Sequence, residues 1–473
     1  MSSEKRFLIH SAATRIPLPA PAILRARVRA LAGLFVLGGA RFAICGDIPA
    51  NEFFSPDSFT AGIQEAVDRL PPEGGIVQLP AGRFLLRRSV NLPSNVTLRG
   101  SGSATVLTRP DQARSPLARR AEAGETAIEV EDGSRFEVGA QIAIFPEADR
   151  GRGGWAAAKK IVTAVDGNTL TLDRPLRYAY DPETRGVQDR GMGGWPPVAI
   201  NLFPGISVSR ANDVRIEDLK LDGNPARNPG PETTFTLAAI HVERASQDCL
   251  IRNVTVSGWP SDGIGVQGGS GHRITGCIVE DCRGDGFHPG TGIRNSFFSG
   301  NIARRNKQDG LYFCALVRQV LVSDSLFEDN RRHGIGGLGD SGDRYNVVAN
   351  NICSGNGLSG IHAVNGAHNT ITGNMALNNS RSQPGAHPGI RLHRVTDMLV
   401  IGNRCLDDQS PRTQSFGIEE SGEQSNRNLI IGNHCMGNLK GGILLQGTDS
   451  VATRNAPADV NRDTGCSCRA EEG

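Results

Sequence analysis

The stretch "DGFHPGTGIRNSFFSGNIARRNKQDGLYFCALVRQVLVSDSLFEDNRRHGIGG", Asp285 to Gly337, decides the fold of this chain. Three times it places an acidic or histidine side chain before a glycine and an apolar residue, at Asp285, Asp309 and His333. Short alternating apolar segments and polar turns fill the interval, which leaves no room for a helix of normal length. Such a period is typical of repeat architectures, in which each unit packs on its neighbours.

The same pair of a small and an apolar residue recurs along the C-terminal half of the chain at intervals of 23 to 29 residues. Its members are Ala239-Ile240, Gly263-Ile264, Gly286-Phe287, Gly310-Leu311, Gly334-Ile335, Gly360-Ile361, Gly389-Ile390, Gly417-Ile418 and Gly442-Ile443. If each period forms one coil, and each strand pairs in parallel with its equivalent one turn later, only the two ends keep open edges. The sequence therefore predicts an all-β fold, a parallel β-helix.

The segment "SPDSFTAGIQEAVDRL", Ser55 to Leu70, predicts a capping helix with Ser58 as its N-cap residue. It is followed by the glycine-broken strands "GGIVQLPAGRFLL" and "NVTLRGSG". This order resembles the N-terminal cap of the pectate-lyase-like superfamily, including its rhamnogalacturonase-like and epimerase-like members. The resemblance implies a single-stranded right-handed parallel β-helix, with a cap and first coils over residues 53–111 and further coils over residues 198–451.

Residues 112–197 interrupt this pattern. They alternate at period two around a "DGN" turn, which predicts a small antiparallel β insertion. Within residues 1–45, Arg25, Arg27 and Arg29 directly precede an apolar run, Ala30 to Ala40, that is too short to span a bilayer. We interpret residues 1–45 as a signal segment that directs a secreted, periplasmic or cell-surface protein, with no transmembrane segment in the mature chain.

The polar tail, residues 452–473, is expected to be disordered. It supplies no C-terminal cap, so a second copy of the chain is a candidate cover for the last coil, as in a homo-oligomer. The formal net charge of +2 and the lack of a basic stripe argue against nucleic acid as a partner.

Stacking of the coils would gather a polar stripe from distant parts of the sequence. Equivalent residues of adjacent coils lie roughly 4.8 Å apart, and the residues that flank the inward apolar position should point outward. The predicted catalytic residues are Asp285, His288, Asp309, Tyr312 and His333. The predicted substrate-binding residues are Asp262, Arg283, Lys307 and Arg331. Three carboxylates at this spacing would raise at least one pKa, unless the basic row or a cation offsets them.

A purely structural interpretation also fits part of this stripe. Aspartate before glycine is a common turn residue, and the recurring asparagines are better explained as a turn ladder than as ligands. His362 and His393, further along the coil, are interpreted as incidental.

The stripe suits an acidic, uronate-containing polysaccharide, whose carboxylates arginine and lysine would bind. Two reactions fit: proton abstraction next to the uronate carboxyl, as in a lyase or an epimerase, or hydrolysis by two carboxylates. The stretch "GFHPG", Gly286 to Gly290, is similar to the "GFDPH" stretch of mannuronan epimerases, but His288 replaces the aspartate and Gly290 the histidine. The "DD" and "GHG" signatures of polygalacturonases are absent from the coils.

The sequence requires no cofactor, although the oxygen atoms of the aspartate row suit Ca²⁺. It leaves two classes open: an exported polysaccharide-active enzyme, and a non-catalytic carbohydrate-binding or surface protein that uses the β-helix as a rigid rod.

Overall fold

A computed structural model describes residues 46–55, 57–146, 157–183, 186–187, 192–193, 196–230, 235–339, 342–457 and 460–462. The predicted signal segment and residues 463–473 lie outside these ranges. In the described part of the chain, no helix is both long and apolar enough to cross a bilayer.

Three parallel sheets run the length of the coil, and each full turn contributes one strand to each of them. Sheet 1 contains Gly46–Pro49, Gly75–Gln78, Val96–Arg99, Arg215–Glu217, Leu250–Arg252, Arg273–Thr275, Arg294–Ser299, Arg318–Ser323, Val347–Ala349, Thr370–Thr372, Leu399–Ile401, Leu429–Ile431 and Val451–Thr453. Sheet 2 contains Gly82–Leu85, Thr105–Thr108, Lys220–Asp222, Thr255–Ser257, Ile278–Glu280, Ile302–Arg304, Leu326–Glu328, Ile352–Ser354, Met375–Leu377, Arg404–Leu406 and His434–Met436. Sheet 3 contains Val90–Asn91, Ile206–Ser209, Ile240–Glu243, Ile264–Gln267, Phe287–Gly290, Leu311–Tyr312, Ile335–Leu338, Ile361–Val364, Ile390–His393, Phe416–Ser421, Gly441–Leu445 and Val460–Arg462.

The predicted stacking register is present in sheet 3. Phe287 pairs with Ile264 on one side and with Leu311 on the other, and all three side chains are fully buried in the central core. Glycine precedes them because the coils approach closely: a Cβ at Gly286 would lie 2.4 Å from the carbonyl oxygen of Gly310. The prediction of a parallel β-helix is confirmed.

Buried asparagines join the turns between sheets from coil to coil. Asn306 donates from its side-chain nitrogen to the carbonyl oxygen of Val279 at 3.1 Å, and its backbone N–H donates to Asn330 Oδ1 at 3.1 Å. Asn330 bonds to Asn356 in the same way, and Asn356 to Asn379. We call these four residues the asparagine ladder; it satisfies backbone groups that strand pairing leaves open.

The N-terminal helix covers the first coil but is shorter than predicted. It spans Ile63–Asp68, and Ile63, Ala66 and Val67 face the core. Its N-cap is Gly62 rather than Ser58. The Ser58 hydroxyl instead accepts a hydrogen bond from the Gly62 backbone N–H at 2.8 Å, because the chain makes a tight turn before the helix begins.

The β insertion has its own core beside the coil. Its six-stranded antiparallel sheet has the spatial order Arg114–Pro116, Pro197–Ile200, Gln141–Pro146, Ala158–Asp166, Thr169–Leu172 and Ala127–Glu129. A smaller sheet contains Tyr180–Asp181, Gly186–Val187 and Met192–Gly193. Short 3₁₀ helices occur at Ala50–Phe53, Gly102–Ala104, Gly133–Arg135 and Phe235–Leu237.

The coil continues past the point where the disordered tail was expected to begin. Val451–Thr453 pairs with Leu429–Ile431, and Val460–Arg462 pairs with residues 443–445. Strand pairing with the preceding coil therefore orders these residues despite their polar composition.

Candidate functional site

An acidic row lies where the chain enters sheet 3, and the coils connect its members. Asp262 Oδ1 accepts the backbone N–H of Asp285 at 2.8 Å, and Asp285 Oδ1 accepts that of Asp309 at 2.8 Å. Asp309 Oδ1 in turn accepts the backbone N–H of His333 at 2.7 Å. We call the three aspartates the acidic row. One oxygen of each carboxylate is thus committed to the scaffold, and the second remains for other contacts.

His288 lies against this row, one residue into its strand. Its Nδ1 is 2.7 Å from Asp262 Oδ2 and 3.5 Å from Asp285 Oδ2. The ring of Tyr312, from the next coil, meets the His288 imidazole edge to face, with centroids 5.3 Å apart. Carboxylate, imidazole and phenol groups from three coils thus form one cluster, which we call the His288 centre: Asp262, Asp285, His288 and Tyr312.

Electrostatics in this centre favour a protonated histidine beside a neutral carboxyl group. Burial tends to lower the pKa of His288, but the hydrogen bond to Asp262 and the contact with the Cys314 thiol outweigh it, so this pKa lies well above its usual value. Burial, together with the charges of Asp262 and Asp309, raises the pKa of Asp285 well above its usual value. An imidazolium can give a proton, and a neutral carboxyl group can donate a hydrogen bond.

Asp309 is the most buried carboxylate of the row. Its Oδ2 has no hydrogen-bond partner among the described residues, and Arg332 Nη1 lies 3.8 Å away. Burial raises the pKa of Asp309, although Arg332 and the hydrogen bond from the His333 backbone act in the opposite direction.

Three imidazoles lie beyond the acidic row. His333 stacks on His362 with ring centroids 4.5 Å apart, and His387 meets His333 edge-on at 6.3 Å. Burial, reinforced by the charges of Arg332 and Arg391, lowers the pKa of His333 well below its usual value. Burial and Arg391 lower the pKa of His387 to about 4. This end therefore offers neutral hydrogen-bonding rings next to two cations.

The expected exposed stripe proved to be buried. The three members of the acidic row, His288 and His333 expose at most 9% of their surface, and Tyr312 is half-buried. The reason is that each side chain turns toward the backbone of an adjacent coil and is covered by its equivalents there.

Two residues of the predicted basic row, Arg283 and Lys307, form no ion pair with the carboxylates in the described part of the chain. Lys307 and Arg331 are exposed, and Arg283 is half-buried. They lie in the turns that precede the row. Arg332 supplies the nearby cation instead.

Sequence reasoning missed Cys314 and His387 and set His362 aside. Cys314 follows Tyr312 by two residues, so the alternation of the strand was a usable signal for its position. His362, which was interpreted as incidental, is the stacking partner of His333. His387 lies in a long turn, and no periodicity marks where such a turn folds. Arg391 follows the Gly389-Ile390 pair and lies beside His362 in sheet 3, so its position could be predicted.

Asp262, Asp285 and His288 are the residues that come closest to a metal site in the described chain. One ligand atom from each lies within 4.8 Å of the others. The nitrogen ligand suits a transition metal better than Ca²⁺, which prefers oxygen atoms alone. However, the 2.7 Å hydrogen bond from His288 to Asp262 already occupies two of these atoms.

These features define a parallel β-solenoid that carries a buried acid–histidine centre on one of its three sheets. The family model for the right-handed β-helix region matches residues 204–338, 238–379 and 319–457, together more than half of the chain. The chain therefore belongs to the right-handed β-helix family. Among curated proteins, none matches it in sequence.

Solved structures share the fold at low sequence identity. The A-module of mannuronan C-5 epimerase AlgE4 from Azotobacter vinelandii is 16% identical, with a TM-score of 0.54, over 86% of this chain and 100% of that chain. The AlgE6 A-module from the same organism is also 16% identical, with a TM-score of 0.53, over 87% and 100%. Gene product 12 of bacteriophage phi29 is 11% identical, with a TM-score of 0.52, over 88% of this chain and 51% of that chain. At these identities the likeness shows the fold alone.

Proposed function

We propose that this protein is an enzyme that removes the proton next to the carboxylate of a uronate sugar in an acidic polysaccharide, at the His288 centre. The observation that carries the proposal is the contact of His288 with both Asp262, at 2.7 Å, and the ring of Tyr312, at 5.3 Å. This contact joins an acid (His288), a candidate base (Tyr312) and a carboxylate that holds the imidazole in place (Asp262). General acid–base catalysis needs this arrangement.

Each group has a defined role in this reaction. Tyr312 is the base that the reaction requires: in its deprotonated form its oxygen takes the proton from the sugar carbon, and the electron pair of that bond moves into an enolate of the carboxylate. Asp285, as a neutral carboxyl group, donates a hydrogen bond to the enolate oxygen as charge develops. His288 then gives its proton, either to the opposite face of the carbon in epimerisation or to the departing glycosidic oxygen in elimination.

Hydrolysis by a pair of carboxylates fits less well. Such a mechanism needs one ionised carboxylate that is free to act as nucleophile or base. Here Asp262, Asp285 and Asp309 each commit one oxygen to the backbone of the next coil. Asp262 uses its other oxygen for His288.

Two structures with this fold are, by their names, mannuronan C-5 epimerases. That likeness, together with the similarity of "GFHPG" to the mannuronan epimerase stretch, makes uronate polymers the first substrates to test. A polymeric substrate also supports the inference from residues 1–45 that the protein is exported and acts in the periplasm or outside the cell.

The test is a panel of uronate polysaccharides incubated with the protein and with His288→Asn. We expect one polymer to show either altered stereochemistry by NMR or the ultraviolet absorbance of an unsaturated uronate, and the variant to lose that product. The His288→Asn protein should keep the circular dichroism spectrum of the parent. New reducing ends without an unsaturated product would instead identify a hydrolase. Binding of a glycan without any product would identify a carbohydrate-binding rod.

A further inference from the structure

A cavity of about 530 Å³ lies between the β insertion and sheet 3, on the N-terminal side of the His288 centre. The insertion strand Ala158–Asp166 forms one wall through its first residues, and the coil strand Ile240–Glu243 forms the other. Gln267 and Thr291 line the end of the cavity nearest the His288 centre.

Positive charge dominates the lining of this cavity. Lys159, Arg177 and Arg244 line it, whereas Glu243 is the one acidic side chain among its described lining residues. Glu243 is already paired, at 3.3 Å with His241 Nε2 and at 3.4 Å with Arg244 Nε. The ammonium group of Lys159 has no hydrogen-bond or ion-pair partner in the described chain, although the residue is mostly buried. An unpaired lysine in such a place is costly unless an anion joins it.

His241 adds a second unsatisfied group. It is 1% exposed, and its Nδ1 is buried without a hydrogen-bond partner. Burial and the charge of Lys159 lower its pKa, so the ring is neutral and can bond to a hydroxyl group. The cavity therefore offers a cation for an anionic group and a polar atom for an uncharged one.

The cavity is aligned with the His288 centre along the coil axis. His241 pairs with Gly265, and Gly265 pairs with His288, so the two histidines occupy the same position two coils apart. That separation is roughly 10 Å at the usual strand spacing. Gln267, whose Oε1 accepts a hydrogen bond from Thr291 at 2.8 Å, lies between them.

We infer that this cavity is a subsite for a second uronate unit of the same polysaccharide, an inference that rests on the proposed function. The carboxylate of that unit pairs with Lys159, and its hydroxyl groups bond to His241 Nδ1. The β insertion then has a functional role, because it supplies the cation that fixes the register of the polymer over the His288 centre.

The experiment measures binding by titration calorimetry in the His288→Asn background, so that turnover does not interfere. The probes are hexamers of mannuronate, guluronate and galacturonate, with cellohexaose as the neutral control. We expect Lys159→Met to weaken binding of the preferred hexamer about tenfold, the loss typical of one charge-assisted hydrogen bond. Lys159→Arg should restore most of the affinity.

Lys220→Met is the matched control, because Lys220 is also partly buried but lies on sheet 2. It should leave binding unchanged. An equal affinity for Lys159→Met and the parent would overturn the subsite, and so would tight binding of cellohexaose or no binding of any uronate hexamer. If binding depends on Lys159 but the parent transforms no uronate, the subsite stands and the proposed chemistry fails. If the parent is active and Lys159→Met binds normally, the proposed chemistry stands and the subsite fails.

Discussion

The asparagine ladder and the acidic row are two versions of one structural device. In both, a polar side chain on one coil accepts a backbone N–H of an adjacent coil at 2.7 to 3.1 Å. In the ladder, the second polar atom of the side chain also bonds to the scaffold, as when Asn356 Nδ2 donates to the carbonyl oxygen of Phe327. In the acidic row, the second atom is a carboxylate oxygen that the backbone cannot satisfy.

That difference shows how a repeat position acquires chemistry. A carboxylate in place of an amide keeps the link between coils but adds a negative charge and a second oxygen that the backbone does not use. His288 contacts this oxygen in Asp262, and Arg332 lies near it in Asp309. Repetition also places carboxylates on adjacent coils, and burial with mutual repulsion raises the pKa of Asp285. The acidic row is therefore scaffold and candidate site at once.

The largest effect is expected on turnover, at His288, which has no counterpart in the asparagine ladder. His288→Asn removes the proton donor but keeps a polar side chain of moderate size. Turnover of the uronate substrate should fall about 10²- to 10⁴-fold, the usual contribution of general acid–base catalysis. Steady-state kinetics measure this loss, and a thermal melt close to that of the parent is the control. A variant with near-normal turnover would remove His288 from the mechanism.

A substitution in the asparagine ladder should lower stability rather than turnover. Asn356→Ala leaves the backbone N–H of Asn330 and the carbonyl oxygen of Phe327 without partners. We expect the free energy of unfolding to fall by about 2–6 kcal/mol, because each of the two unsatisfied buried groups costs about 1–3 kcal/mol. Denaturant titration tests this, with Asn212→Ala, at an exposed position, as the control. A loss no larger than that of the control would mean that the ladder carries little stability.

The side chain of Asp285 has two roles, the link to the backbone of the next coil and the proposed hydrogen bond to the substrate, and two substitutions can separate them. In Asp285→Asn the amide oxygen can still accept the Asp309 N–H, and the amide nitrogen can donate as a protonated carboxyl group does. We expect a change in stability below about 1 kcal/mol, whereas Asp285→Ala should lose about 1–3 kcal/mol. Activity should survive better in the asparagine variant. Equal destabilisation of the two variants, measured by denaturant titration, would show that the backbone link is not what the side chain provides.

Asp262→Asn should produce the smallest effect, a shift in pH dependence. Because Asp262 favours the imidazolium, it raises the pKa of His288, and a reaction that needs this proton slows as the pH rises through that value. An amide removes the negative charge, the pKa of His288 falls, and the basic limb of the rate profile moves to lower pH. A pH–kcat profile measures the shift. An unmoved limb, or one displaced to higher pH, would contradict the electrostatic role of Asp262.

Much of this geometry could be predicted from the sequence, because a regular period converts spacing into position. The period of about 24 residues was sufficient to place His288, Tyr312 and the acidic row on one sheet. It could not show that Asp262 contacts His288 on the next coil, since that contact depends on side-chain rotamers. Nor could it place His387 and Lys159, which come from a long turn and from the insertion, where no repeat constrains the chain.

The most direct measurement of the central claim follows solvent deuterium into the sugar. The parent protein and His288→Asn are incubated in D₂O with the uronate polymer that binds best, and the carbon next to each carboxylate is examined by NMR. We predict one of two results for the parent: the carbon gains deuterium, as in epimerisation, or it becomes part of a new double bond, as in elimination. The variant should give neither product. Cleavage of the polymer that leaves the original hydrogen on that carbon would contradict proton abstraction at the His288 centre.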